Sequence, residues 1–200
     1  MSILYDNDLA YMSEHGIFAG IDEAGRGALA GPVVIAAVTL NYNTFISGLN
    51  DSKQLSPKTR EAMSEQILST AISYCIIEMS PAYIDKHNIL RATLKGFHKA
   101  FIGLEPPARQ CLVDGPYIPY ELKGIAFPVI KGDQLHAAIA AASVIAKVHR
   151  DHLMIAFDDL YPEYGFADNK GYGTAHHSQM IHSFGQCPIH RRSFKVPASN

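Results

Sequence analysis

The sequence has few cysteines, no long apolar run and no excess of charge of either sign. Its 200 residues include three cysteines, an odd number without a CxxC pair, which excludes a disulfide framework and a paired-cysteine zinc site. The 17 Lys and Arg residues against 19 Asp and Glu residues give a formal net charge of −2, which excludes a uniformly basic nucleic-acid coat protein. These absences favour a globular chain in a reducing, cytoplasmic setting.

Membrane insertion is not expected, because a membrane span needs about 18 consecutive apolar residues. The longest candidate, 137–146, is shorter than that and is interrupted by Ser143. The N-terminal residues carry acid where a signal peptide carries base. The balance of 48% hydrophobic and 18% charged residues also excludes intrinsic disorder.

Apolar runs and helical periodicity alternate along the chain. Ser56-Pro57 and Asn88 are typical starts of helices. No repeat or linker divides the sequence, so we predict a single domain, 1–200, in which about 160–200 form a C-terminal helical extension. The alternation predicts an α/β fold with a mixed sheet covered by helices. Strands are predicted at 17–22, 33–40, 74–79, 110–114 and 126–130, and helices at 58–71, 88–101, 132 to about 160, and 174–184.

Four acids are predicted to lie at strand ends of this sheet. Asp22 and Glu23 end an apolar strand and run directly into a glycine turn, where burial of two carboxylates requires a cation. Asp114 ends another strand, and Asp133 follows a further one. Taken singly, such acids are equally a surface pair, a turn-starting Asp and a helix N-cap. Together they are able to bind Mg²⁺ or Mn²⁺, and two such ions suit phosphodiester hydrolysis.

Two rival interpretations are weaker. The pattern Gly25-x-Gly27-x-x-Ala30 imitates a dinucleotide-binding fingerprint, but a strand-like run follows where that fingerprint needs a helix. Histidines could bind a metal, but none has a recognised metal-binding spacing, and paired histidines on a helix are more often exposed. The histidines concerned are His149 with His152, and His176 and His177 with His182.

Seven motifs, in order, resemble the type 2 ribonuclease H family, also called ribonuclease HII. They are GIDEAGRG at 20–27, LNDSKQL at 49–55, VDG at 113–115, KGD at 131–133, IAAASVIAK at 139–147, RD at 150–151 and KGYGT at 170–174. The resemblance covers nearly the whole chain, to Phe194. It implies a ribonuclease H fold, with a central five-stranded mixed sheet, flanking helices and a C-terminal helical portion. The Gly25-Arg26-Gly27 sequence favours type 2 over the related type 3 enzymes.

The resemblance also implies an activity and a set of site residues. The activity is endonucleolytic cleavage of RNA in RNA–DNA hybrids and 5′ of single ribonucleotides in duplex DNA, which leaves 3′-hydroxyl and 5′-phosphate ends and serves ribonucleotide and primer removal. Asp22, Glu23, Asp114 and Asp133 would bind two Mn²⁺ or Mg²⁺ ions. Substrate contacts would come from Gly25, Arg26, Gly27, Lys53, Ser143, Lys147 and Tyr172. No organic cofactor and no membrane partner is implied, and a monomer is the default expectation.

These implied roles agree with physical chemistry. Glycines let the backbone approach a ribose 2′-hydroxyl, Arg26 is able to hold a phosphate with two hydrogen bonds, and the Tyr172 ring is able to cover a sugar face. Two residues depart from the family pattern: Asn169 stands where many members have histidine, and Ala28 where proline is frequent. Two alternatives stay open, namely a structure-selective DNA nuclease or resolvase of the same fold and a non-catalytic hybrid-binding module.

Overall fold

The computed structural model describes residues 2–49, 52 and 55–197. Within these residues five strands form one sheet: β1 Ala19–Ala24, β2 Val33–Thr39, β3 Ser73–Met79, β4 Cys111–Asp114 and β5 Ala126–Val129. Their order is β3-β2-β1-β4-β5. β2 is antiparallel to β1 and β3, whereas β4 is parallel to β1 and β5. The predicted five-stranded mixed sheet is therefore confirmed, with strand ends within two residues of those predicted.

The helices begin at the predicted capping residues. The Ser56 hydroxyl accepts a hydrogen bond from the Thr59 N–H, and the Asn88 side chain accepts one from the Arg91 N–H. Pro57 occupies the first turn, where its missing N–H costs nothing. The helices are α1 Ile3–His15, α2 Pro57–Thr70, α3 Pro81–His87, α4 Ile89–Ile102, α5 Ala137–Leu160, α6 Phe166–Asn169 and α7 Ala175–Phe184.

Helices cover both faces of the sheet. Alternate residues of β2 point to opposite sides: Val34 packs under α5 and α2, and Ile35 packs under α4. α5 lies directly on β1, since a Cβ on Gly20 would lie 2.1 Å from the Ala138 carbonyl carbon. A third apolar cluster joins α6, α7 and the chain after them to Leu29 and Met154. This last cluster ties the C-terminal part to the loop after β1.

The N-terminal helix α1 was not predicted from the sequence. It is fixed by Asp8, whose fully buried carboxylate accepts hydrogen bonds from the Tyr42 hydroxyl at 2.8 Å, His136 Nδ1 at 2.7 Å and the Ala138 N–H at 2.9 Å. A buried acid with three donors is a strong anchor, because removal of the acceptor would leave donors unsatisfied.

The long helix α5 begins later than predicted. The predicted start at 132 and 133 is a separate short 3₁₀ turn, Gly132–Gln134, and His136 is the N-cap of α5. Lys131 adopts a left-handed conformation before this turn, with φ of +56°, which redirects the chain. In the described ranges, no helix combines the length and the apolar character needed to cross a membrane.

Candidate active site

The parallel pairing of β1 and β4 explains why acids distant in sequence lie together. The register pairs Ile21 with Val113, so continuing it by one residue places Asp22 opposite Asp114. Both strands end at the same edge of the sheet, which is where the side chains of parallel strands meet a crevice. Glu23 follows Asp22 on β1. The convergence expected from the sequence is therefore present for these three acids.

These acids line a cavity of about 280 Å³. Of the eleven predicted site residues, nine line it: Asp22, Glu23, Gly25, Arg26, Gly27, Asp114, Ser143, Lys147 and Tyr172. Lys53 lies outside the described residues. Ala24 and Ser52 also line the cavity and were not predicted. For Ser52 the available signal was its position in the 49–55 motif.

Asp133 lies beside the cavity and does not line it. Its side chain is 3% exposed and belongs to the 3₁₀ turn after β5. The turn is fastened to the site, because the Gly132 N–H donates to Asp114 Oδ1 at 2.7 Å. Asp133 therefore stands next to Asp114 in a buried position, and it is not the N-cap of α5.

The environment of Asp22 disfavours its negative charge. Burial of this 5%-exposed side chain raises its pKa well above the usual range, and the neighbouring charges of Glu23 and Asp114 raise it further. Hydrogen bonds from the Ser143 hydroxyl and the Glu23 N–H oppose this rise. Carboxylates at this edge of the sheet would be stabilised by a cation between them.

The oxygen donors of the cavity suit a hard divalent cation. The described part of the chain contains no set of three or more His, Cys, Asp or Glu side chains already gathered closely enough to enclose a metal ion. The histidine alternative gains no support: His149 contacts Glu78, His152 contacts Glu61, and His177 contacts His190.

A polar network holds the wall formed by α5 and the start of α2. Lys147 Nζ lies 2.5 Å from Asp151 Oδ1, and Asp151 also faces Arg60 at 3.6 Å. Arg60 Nε donates to the Ser52 carbonyl at 2.9 Å. The Ser52 and Ser143 hydroxyls are 2.9 Å apart. Lys147 thus lines the cavity and has a carboxylate partner one helical turn further along α5.

The glycines at 25 and 27 have different surroundings. Gly25 has a φ of +87°, and a Cβ there would lie 1.8 Å from Arg150 Nε. A Cβ on Gly27 would meet nothing within 4 Å. Gly25 is therefore required by the protein's own packing, whereas the space beside Gly27 is open. Arg26 Nη1 lies 3.5 Å from Glu23 Oε1, at the mouth of the cavity.

The turn that carries Tyr172 is fixed by side chains behind it. The Asn169 carbonyl accepts from the Tyr172 N–H at 2.9 Å, and Asn169 Oδ1 accepts from the Gly171 N–H at 2.7 Å. The departure from the family pattern at 169 thus supplies a turn-forming amide. His177 Nδ1 lies 2.9 Å from the Tyr172 carbonyl, and His177 Nε2 lies 3.0 Å from His190 Nε2.

Comparison with known proteins assigns the chain to a family. A family model described as ribonuclease HII matches residues 19–196. Ribonuclease HII of Ruminiclostridium cellulolyticum is 50% identical over 176 residues, which are 88% of this chain and 69% of the relative.

Solved structures agree with this assignment. The ribonuclease H2 of Pyrococcus horikoshii OT3 has a TM-score of 0.76 and 26% identity, over 90% of this chain and 94% of that one. Bst-RNase HIII, solved in complex with Mn²⁺, shares the fold at 18% identity and a TM-score of 0.62, over 84% of this chain and 63% of that one. The chain belongs to the ribonuclease HII family and is an endonuclease of the ribonuclease H type.

Proposed function

We propose that this enzyme hydrolyses the RNA strand of RNA–DNA hybrids and nicks duplex DNA 5′ of single embedded ribonucleotides. The observation that carries the proposal is one cavity that combines Asp22, Glu23 and Asp114 with the 25–27 loop and Tyr172. The acids suit phosphodiester chemistry, and the loop and ring suit recognition of one sugar. Such an activity would serve the removal of ribonucleotides and RNA primers from replicated DNA.

A divalent cation site is part of the proposal. Asp22, Glu23, Asp114 and Asp133 would hold two Mg²⁺ or Mn²⁺ ions, and the Mn²⁺ in Bst-RNase HIII supports this choice. When bound, such ions supply an activated water and stabilise the leaving oxygen. The raised pKa of Asp22 supports the proposal independently, because a buried carboxylate among like charges is stabilised by a cation.

The other cavity residues would bind and orient the substrate. Arg26 and Lys147 carry the positive charge that scissile and flanking phosphates require. The open space beside Gly27 would let the backbone approach the ribose, and the 2′-hydroxyl is the group that distinguishes ribonucleotide from deoxyribonucleotide. Tyr172, 38% exposed beside the cavity, would pack against the neighbouring deoxyribose.

The deciding experiment is cleavage of a duplex that contains one embedded ribonucleotide, in Mg²⁺ or Mn²⁺, with both new ends mapped. We expect a single nick 5′ of the ribonucleotide with 3′-hydroxyl and 5′-phosphate ends. Asp114→Asn should lower kcat by at least about 10²-fold, because it removes a negative oxygen donor from the site.

Two outcomes would replace the proposal. Equal cleavage of an all-DNA duplex would indicate a structure-selective nuclease or resolvase. Stable binding of the hybrid without product under either metal would indicate a non-catalytic binding module. Full activity of Asp114→Asn would refute the assigned acid site.

A further inference from the structure

Two arginines are completely buried beneath the substrate-binding loop. Arg150 on α5 and Arg191 in the C-terminal segment are both 0% exposed. Arg191 donates from Nε, Nη1 and Nη2 to the carbonyls of Gly31, Arg26 and Gly25, at 3.0, 2.9 and 2.7 Å. The Arg191 side chain therefore holds both ends of the loop after β1, and it does so entirely through main-chain carbonyls of the loop.

Arg150 uses its guanidinium in the same way and adds a second segment. Its Nε and Nη2 donate to the carbonyls of Pro32 and Ala30, both at 3.0 Å. Its Nη1 donates to the Lys170 carbonyl at 2.9 Å, two residues before Tyr172. The guanidinium carbon also lies 5.3 Å from the centre of the Tyr172 ring. Arg150 thus connects the loop to the turn that carries Tyr172.

Neither charge is neutralised by direct contact with an acid. Among residues 2–49, 52 and 55–197, no carboxylate lies within ion-pair distance of either guanidinium. A buried charge without an acidic partner is costly, and carbonyl dipoles compensate for only part of that cost. Burial accordingly lowers the pKa of both arginines. Two buried guanidinium groups therefore cost free energy of folding. This cost is understandable if the orientation of the loop backbone is needed for function.

The arrangement determines which side of the loop faces the cavity. In a planar trans peptide the C=O and the following N–H point in opposite directions. Because the Gly25 and Arg26 carbonyls point inward to Arg191, the N–H groups of Arg26 and Gly27 point away from it. The described residues offer neither of these N–H groups an acceptor. Two backbone donors are therefore left for a ligand at the cavity.

We propose that Arg150 and Arg191 are positioning residues of ribonucleotide recognition: their fork-shaped hydrogen bonds turn the loop carbonyls inward and present the Arg26 and Gly27 N–H groups to the substrate. The inference rests on the proposed function, since it assigns those donors to a sugar or phosphate oxygen of the cleaved duplex. It also explains the requirement for glycine at 25, where a side chain would collide with Arg150. Lysine cannot replace either arginine, because an ammonium lacks the planar fork of donors.

The test compares Arg191→Lys and Arg150→Lys with Arg91→Lys, the same change at an exposed position on α4. Each full-length, ¹⁵N-labelled variant is measured for its Tm, for its amide chemical shifts and for kcat and KM on the single-ribonucleotide duplex. For Arg191→Lys we expect KM to rise about tenfold or more with a smaller change in kcat, because a displaced loop binds less well. Its largest amide shift changes should fall at Arg26 and Gly27. Arg91→Lys should match the wild type.

A merely structural role would give a different result. A lower Tm with wild-type KM and with wild-type amide shifts at Arg26 and Gly27 would overturn the proposal. Should Arg191→Lys fail to fold, Arg150→Lys decides, with its largest expected shift changes at Gly171 and Tyr172 as well as in the loop. If the wild type does not cleave the duplex at all, the proposed function fails, and the amide shifts alone still decide whether the arginines position the loop.

Discussion

Two groups of like charges lie close to the loop after β1, and their surroundings differ. Asp22 lies with Glu23 and Asp114 around a cavity, and its pKa is raised first by its own burial and then by the neighbouring charges of Glu23 and Asp114. Arg150 and Arg191 are fully buried. In each of them Nε, Nη1 and Nη2 all donate to main-chain carbonyls. The acidic group thus faces a cavity that a ligand can enter, whereas the hydrogen bonds of the arginine group end on carbonyls of the chain itself.

The largest expected effect comes from neutralising the acidic group. Asp22→Asn should lower kcat about 10³-fold, because it removes charge from the reacting centre. In the absence of added metal it should also raise Tm by about 2–4 °C, since the raised pKa means that the ionised Asp22 destabilises the folded state at neutral pH. Cleavage rates and thermal unfolding without metal measure the two effects. A lower Tm would mean that Asp22 is already stabilised from within the chain, like the arginines.

The matched control for this prediction is Asp159→Asn, an identical change on the exposed side of α5. It should alter neither kcat nor Tm, because a solvated carboxylate contributes little to stability.

The next effect concerns the histidine pair behind Tyr172. Burial and the adjacent His177 lower the pKa of His190 to about 4, and the pKa of His177 is also lowered. A histidine in the unfolded chain titrates near pH 6.5. Above that pH His190 is neutral in both the folded and the unfolded state, so the free energy of unfolding is not reduced by its protonation. Stability is lost as the pH falls toward 4, by up to about 1.4 kcal/mol per pH unit for one proton. His190→Gln should make the decline of the unfolding free energy between pH 6.5 and 4.5 shallower.

The groups facing His190 are His177, Cys187 and Tyr164, none of which supplies a compensating negative charge in this range. His182→Gln, a change at an exposed position of α7 whose ring contacts the Ser178 carbonyl, should keep the wild-type pH slope. If His190→Gln has the same pH slope as the wild type, the buried histidine pair does not resist protonation. In that case the two rings behind Tyr172 are not kept neutral by their burial.

The smallest expected effect concerns Lys147, a cation that lines the cavity with the acids. Lys147→Met should raise KM about tenfold and reduce the salt dependence of substrate binding by about one charge, because Lys147 lines the cavity and would contact a phosphate. Binding measured over a range of salt concentrations gives the slope. Lys99→Met, at an exposed position of α4, should leave both quantities unchanged. An unchanged slope in Lys147→Met would mean that the lysine serves only its contact with Asp151.

The acidic group could be predicted from the sequence because each acid follows an apolar strand. That local pattern places Asp22 and Asp114 at one sheet edge once the two strands are parallel neighbours. The turn around Asp133 could not be predicted, because a 3₁₀ turn and the first turn of a helix share the same residue preferences.

Arg191 left no comparable signal, and Arg150 was marked only as part of the motif at 150–151. The acceptors of Arg150 and Arg191 are main-chain carbonyls, which every residue has, so no partner residue marks the contact in the sequence. Helix α1 was missed for a related reason. Its buried residues are only Leu4, Tyr5 and Asp8, which is too few for a helical apolar pattern, and its anchor is an acid.

The use of carbonyl acceptors has a consequence for variation and engineering. Because the hydrogen bonds of Arg150 and Arg191 all end on main-chain carbonyls, they tolerate exchange of side chains in the loop after β1, provided that glycine remains at 25. The side chain at 26, which projects to the cavity mouth while its carbonyl stays fixed, can therefore be varied without rebuilding the loop. A library of substitutions at position 26 would therefore sample new contacts with the substrate while the backbone of the loop stays in place.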